Sequence, residues 1–181
     1  LHMGGAVYRN WLDGRDIGFP EFYSRVRGGE NATTAAVSVG DFETEMRKIL
    51  SSGRDLLCVS FSSALSATYQ SASIAAEELR TEFPEAEICV VDSLCASLGQ
   101  GLLVWLCAQE RKKGRSLAEV RDFAEAVKGR ICHWFTVDDL NHLKRGGRIS
   151  AATALFGTML SIKPVMHVDD GGRLTPVGKT R

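Results

Sequence analysis

Charge of one sign is what this sequence most plainly lacks. Its 22 Lys and Arg residues are matched by 22 Asp and Glu, so the formal net charge is zero. A nucleic-acid-binding domain carries a basic excess and a disordered acidic tail an acidic one, so neither class fits. Long apolar runs are missing too: Leu102 to Ala108, among the longest, falls far short of the ~18 residues of a membrane-spanning helix. Leu1 to Ala6 is too short, and has no basic stretch, to read as a secretory leader. A cytoplasmic location is expected, with at most transient membrane contact. The five cysteines include no CxxC pair, and no HxxxH brings histidines to ligand spacing, so no metal cofactor is expected. Cys58, Cys89, Cys107 and Cys132 lie in apolar runs and read as reduced, buried thiols.

What is present is a chain of 181 residues with an ordinary share of apolar side chains, enough for a substantial core. The start is loop-rich. Pro20 opens a short amphipathic helix that Gly28-Gly29 ends. Ser38 is placed to cap a helix, with Asp41 three residues on and Phe42, Met46, Ile49 and Leu50 at helical spacing. Strand and helix patterns then alternate. Asp55 to Phe61 and Glu87 to Asp92 read as buried strands, with a helix from about Ser66 to Glu82 between them. Ala96 to Lys113 is apolar over most of its faces and predicts a deeply buried helix. Ser116 and Glu119 form a capping box before another helix, and Ile131 to Val137 reads as the next strand. Helices between apolar strands imply right-handed crossovers and a parallel sheet covered on both faces. The fold class is α/β.

Beyond Val137 the texture changes. A short helix from Asp138-Asp139, the basic turn Lys144 to Arg148 and an Ala-rich helix from Ser150 are followed by a hairpin. Its strands are Ile162 to Val168 and Arg173 to Val177, with Asp169 to Gly172 as the turn. A hairpin with nothing to pack on is marginal. We expect one domain over 1–140 and the beginning of a second over 141–181.

Four serines crowd the carboxyl end of the first buried strand: Ser60, Ser62, Ser63 and Ser66. That edge of a parallel sheet is where ligands bind, and the helix it opens offers free N–H groups to an anion. Plain helix capping explains one such serine better than it explains four. A nucleophile elbow would need flanking glycines, which are absent here. Gly178-Lys179-Thr180 lacks the earlier glycine of a phosphate-binding loop, because that position is Arg173. Arg148 follows Gly146-Gly147, and its planar donor fork suits an acidic or phosphorylated partner.

These motifs together resemble the DegV family. The resemblance is carried by Ser62-Ser63-Ala64-Leu65-Ser66-Ala67-Thr68-Tyr69-Gln70, Val91-Asp92-Ser93, Gly146-Gly147-Arg148-Ile149-Ser150 and Ile162-Lys163-Pro164 before the Asp-Gly turn. It implies a DegV-like parallel-sheet domain with helices on both faces, a long-chain fatty acid as bound ligand, and no chemistry performed on it. It further implies an ATP-dependent fatty acid kinase subunit as partner. Thr34, with Thr33 beside it, and Ser63, with Ser62 and Ser66 nearby, would meet the carboxylate, while Arg148 and Arg181 would contact the kinase. The family's Thr-Thr loop continues here as Ala35-Ala36-Val37-Ser38, and Ala67 stands where the family has glycine. The resemblance also places a further strand before Leu1 and most of a C-terminal domain after Arg181. The alternatives are a serine hydrolase acting through Ser63 and an interaction domain with a non-binding pocket.

Overall fold

The computed structural model describes residues 1–137, 140–149 and 163–180. The chain forms two compact units, Leu1–Ala36 and Val37–Arg181.

In the first unit β1 (His2–Met3) pairs antiparallel with both β2 (Ala6–Val7) and β3 (Ala32–Thr33). Helix α1 (Phe19–Arg27) places Pro20 in its first turn, where the missing N–H costs nothing. Arg25 grips Glu30 through two N–H···O bonds of 2.6 and 2.7 Å and donates to the Tyr8 hydroxyl at 3.0 Å. These bonds tie the α1 helix and the chain after it to the loop after β2.

The second unit holds the parallel sheet. Strands β4 (Leu56–Ser60) and β5 (Ile88–Asp92) pair in register from Leu56 with Ile88 to Ser60 with Asp92. Their apolar runs serve both faces, as the period of two requires. Leu56, Cys58, Ile88 and Val90 pack with α2 (Val39–Leu50) and α3 (Thr68–Glu82). Leu57, Val59 and Val91 pack on the other side with α4 (Ser97–Lys112) and α5 (Leu117–Val127). Helices therefore cover both faces of the sheet. The fold is α/β, with one parallel and two antiparallel sheets among the described residues.

Both helix caps legible in the sequence form. Ser38 accepts the Asp41 N–H at 3.1 Å. Ser116 accepts the Glu119 N–H while Glu119 takes the Ser116 N–H, which closes the box. Ser116→Ala removes the side-chain acceptor and is expected to lower stability by about 1 kcal/mol in urea titration, with no effect on any binding site.

Four expectations are corrected. Ile131 to Val137 does not join the parallel sheet. Only β6 (Trp134–Phe135) forms a strand, and it pairs antiparallel with β7 (Lys163–Val168). The hairpin of β7 and β8 (Leu174–Thr180) is thereby part of a three-stranded sheet, not isolated. Met166, Leu140 and Ile149 form its core with Phe135 and Leu174. Helix α4 is not buried all round: Leu103 and Cys107 face the core, while Leu98, Leu102, Val104 and Trp105 are exposed. The sheet and α5 cover only one side of it. Cys132, expected in the interior, is exposed, whereas Cys95 is buried. The expected Ala-rich helix from Ser150 to about Leu160 lies outside the described residues, as do Asp138 and Asp139.

Candidate functional site

The site starts where β4 and β5 end side by side. Beyond Ser60 the chain turns through Phe61 to Ala67 before α3 begins at Thr68. Ser62, Ser63 and Ser66 share that turn. Their hydroxyls have different environments.

Ser62 is fully buried. Its Oγ donates to the Gly172 carbonyl at 2.9 Å and accepts the Ala64 N–H at 3.3 Å. Its own N–H donates to the Cys95 carbonyl at 2.9 Å. Ser62 thus pins the β7–β8 turn and the loop after β5 to the end of β4. Ser66 is half-buried; its Oγ accepts the Thr68 N–H at 3.2 Å and shares a 2.8 Å hydrogen bond with the Thr68 hydroxyl. It satisfies the N–H of the first residue of α3 from the position before the N-cap, which is Ala67 and makes no side-chain cap bond of its own.

Ser63 is exposed. Its backbone N–H donates to Asp92 Oδ1 at 3.2 Å, and the same oxygen accepts the Leu94 N–H at 3.1 Å. Asp92 therefore sets the backbone of both loops, one on each strand end. Leu94 sits at φ +53°, a left-handed conformation costly for a branched side chain, and the Asp92 bond holds it there. The remaining donor of Ser63 is its hydroxyl, which makes no hydrogen bond among the described residues. The sequence carried Asp92 only as part of a motif; its role on the serine turn emerges from the structure.

Thr33 closes β3 and Thr34 follows it, both exposed, in the first unit. Arg148 is exposed on the turn after α6 (Leu140–Arg145). Gly147 adopts φ +73°, the Gly147 N–H donates to the Lys144 carbonyl, and the Arg148 N–H reaches back to the Leu143 carbonyl. This is the paired closure that a helix makes when glycine follows its end, and it fixes where Arg148 leaves the helix. Arg181 lies outside the described residues.

Asp169 organises the hairpin turn. Its Oδ1 accepts the N–H groups of Gly171 and Arg173 at 3.0 and 2.9 Å, and its Oδ2 accepts the Thr175 hydroxyl at 3.3 Å. The Arg173 N–H above all holds its carboxyl below the usual carboxylate range. Among the described residues no group of three or more His, Cys, Asp or Glu is placed to hold a metal ion. Nor, among them, is any helix long and apolar enough to cross a membrane.

Comparison with known proteins extends over the whole chain. A DegV domain-containing protein of Clostridium perfringens is 45% identical over 160 residues, which is 88% of this chain and 55% of that protein. A DegV family protein from Thermus thermophilus, whose structure is described for fatty acid binding, matches with a TM-score of 0.84 and 36% identity. The match covers 99% of this chain and 61% of that one. A stearic-acid-binding protein from Eubacterium ventriosum matches at a TM-score of 0.83 and 28% identity, over 93% of this chain and 58% of that one. The chain thus spans less than two thirds of the length of these relatives. The family model described as an uncharacterised protein of the DegV family matches residues 1–181, and the chain belongs to the DegV family.

Proposed function

We propose that the chain binds a long-chain fatty acid in a buried tunnel, holds it without transforming it, and presents its carboxylate to a separate ATP-dependent fatty acid kinase. The observation that carries this reading is the pairing of the serine turn with the DegV likeness. The Thermus thermophilus relative, described for fatty acid binding, matches 99% of the chain. The same chain offers an exposed hydroxyl, Ser63, that makes no hydrogen bond among the described residues, at the strand-end edge where parallel sheets bind ligands.

In this reading Ser63 donates to the carboxylate. Ser62 and Ser66 hold the turn through their bonds to Gly172 and Thr68. Thr34, with Thr33 beside it, supplies a second donor. Residues 1–140 form the lipid-binding domain, and 141–181 belong to a second domain. Arg148 and Arg181 contact the kinase. Neutral donors suit this task because they hold an anion without burying a countercharge, and each ~0.8 kcal/mol CH₂ of the tail supplies the affinity. A serine nucleophile would need a base on its hydroxyl. The hydrolase alternative would use Ser63, whose hydroxyl makes no hydrogen bond to such a base among the described residues.

Denaturing mass spectrometry of the purified protein should release a stoichiometric long-chain fatty acid. Ser63→Ala should weaken retention roughly fivefold, the worth of about 1 kcal/mol for one hydrogen bond, with the fold unchanged. Wild-type retention by that variant would move the head-group site elsewhere.

A further inference from the structure

One serine of the cluster at the end of β4 has no part in the turn that follows. Ser60 closes the strand and is only 3% exposed, yet its hydroxyl has no hydrogen-bond partner among the described residues. The other buried serines nearby are engaged. Ser62 donates to the Gly172 carbonyl, and the Ser93 Oγ accepts the Cys95 N–H. Burying a hydroxyl without a partner costs stability, and native interiors do so rarely. An alanine would occupy the same place without that cost. Ser60 therefore carries a donor that the described fold does not use.

The pleat sets its side of the sheet. Leu56 and Cys58 pack with α2 and α3, and Ser60 is the next residue of β4 on that face. The turn from Phe61 to Ala67 returns the chain at the same edge, so α3 starts there. The start of that helix is open. Ser66 takes the Thr68 N–H, but the N-cap residue is Ala67, which has no side-chain oxygen for the N–H groups of Tyr69 and Gln70. In a helix of 15 residues, such N–H groups and the positive end of the dipole favour an anion. A buried unused hydroxyl and an uncapped helix start are independent observations, and they meet at one edge.

Asp92 narrows the choice of donors. It is the register partner of Ser60, and its Oδ1 accepts the N–H groups of Ser63 and Leu94. Those two N–H groups are committed. Asp92 also places a negative charge at this edge, which disfavours a carboxylate held by one hydroxyl alone.

We infer that Ser60 is the inner donor for the fatty-acid carboxylate, bonding one oxygen from the sheet side while Ser63 donates from the exposed side of the turn. The inference rests on the carrier reading and deepens it, because Ser60 sets how far the head group is drawn toward the sheet. Its bond is shielded from water, so it contributes more than the bond of the exposed Ser63. A neutral hydroxyl also leaves no buried charge when the lipid departs.

The test compares Ser60→Ala and Ser60→Cys with wild type, each as the whole chain freed of lipid and titrated with palmitate in competition with a fluorescent fatty acid. Cysteine is close to serine in size but is a weak donor. Both variants should lose roughly tenfold in affinity, the worth of one hydrogen bond to a charged group. Lipid-free Ser60→Ala should melt no lower than wild type, because the fold loses no bond. The carboxyl resonance of bound palmitate, ¹³C-labelled at that carbon, should shift between wild type and Ser60→Ala. Unchanged affinity or an unmoved resonance in Ser60→Ala would overturn the proposal. So would a lipid-free Ser60→Ala protein that melts clearly below wild type, since the hydroxyl would then serve the fold. Wild-type affinity in Ser60→Cys would overturn it too, because volume rather than the donor would then matter. A wild-type protein with no affinity for palmitate removes the carrier reading and this proposal with it; a wild-type protein that binds, beside variants that bind equally well, removes this proposal alone.

Discussion

Gly172→Ala is expected to lower the melting temperature by roughly 5–15 °C, although it adds a single methyl group on a surface hairpin. Two costs add. Gly172 adopts φ +76°, where an L-residue is strained by about 1–2 kcal/mol. A Cβ built there would lie 2.3 Å from Ser62 Oγ and 3.2 and 3.3 Å from the backbone of Leu94. The Leu94 backbone is itself held in a left-handed conformation by Asp92, so it cannot yield freely. The Ser62 hydroxyl must then leave the Gly172 carbonyl, which costs about 1–3 kcal/mol for a buried group. The sum is about 2–5 kcal/mol. Gly171→Ala is the control. Its Cβ would meet the end of the flexible Arg173 side chain at 2.8 Å and Asp169 Oδ1 at 3.3 Å, both side-chain atoms, and its φ is not positive, so it should lower the melting temperature far less. Thermal unfolding followed by circular dichroism decides the matter; equal, small effects of the two variants would mean that the Ser62–Gly172 junction is not a structural anchor.

That junction marks where the sequence stopped being readable. The helix caps at Ser38 and Ser116 were legible because a cap is local: an oxygen and a backbone N–H within three residues. The two parallel strands and the helices on both their faces were legible because their apolar runs are continuous and bounded by turns. Ile131 to Val137 misled because an apolar run does not specify which sheet it joins. Its partner, β7, lies beyond α6, and nothing local announces an antiparallel pairing. Helix α4 misled for a similar reason. Apolar residues on every face state that burial is favourable, not that enough protein surrounds the helix to supply it. Ser62 was hardest. A serine beside a helix start reads as a cap or a ligand contact, whereas its acceptor is 110 residues away in the chain.

The same turn divides labour between neighbours, and this makes Ser63 the sharper probe of function. Ser63 is exposed, and its N–H is already committed to Asp92. Only its side chain can change what the turn offers a ligand. Ser63→Asp replaces a donor with a negative charge opposite the fatty-acid carboxylate of the proposed carrier. At a separation of about 4–5 Å and an effective dielectric constant of ~20, two carboxylates repel by about 3–4 kcal/mol. Solvent at an exposed turn reduces this, leaving about 2–3 kcal/mol, a loss of affinity of roughly 30- to 150-fold. Stability should change by less than about 1 kcal/mol, since the substitution lies at the surface. Ser63→Asn, near in size and uncharged, should retain most of the affinity. The defect should also be pH-dependent. The ligand and the introduced carboxyl both lose charge as pH falls through about 4, so affinity should recover there and be lost again as pH rises. Competition with a fluorescent fatty acid across pH 3.5–8 reads all of these outcomes. A Ser63→Asp variant that holds its lipid as tightly as wild type at pH 8 would place the carboxylate away from the serine turn and sink the assigned site.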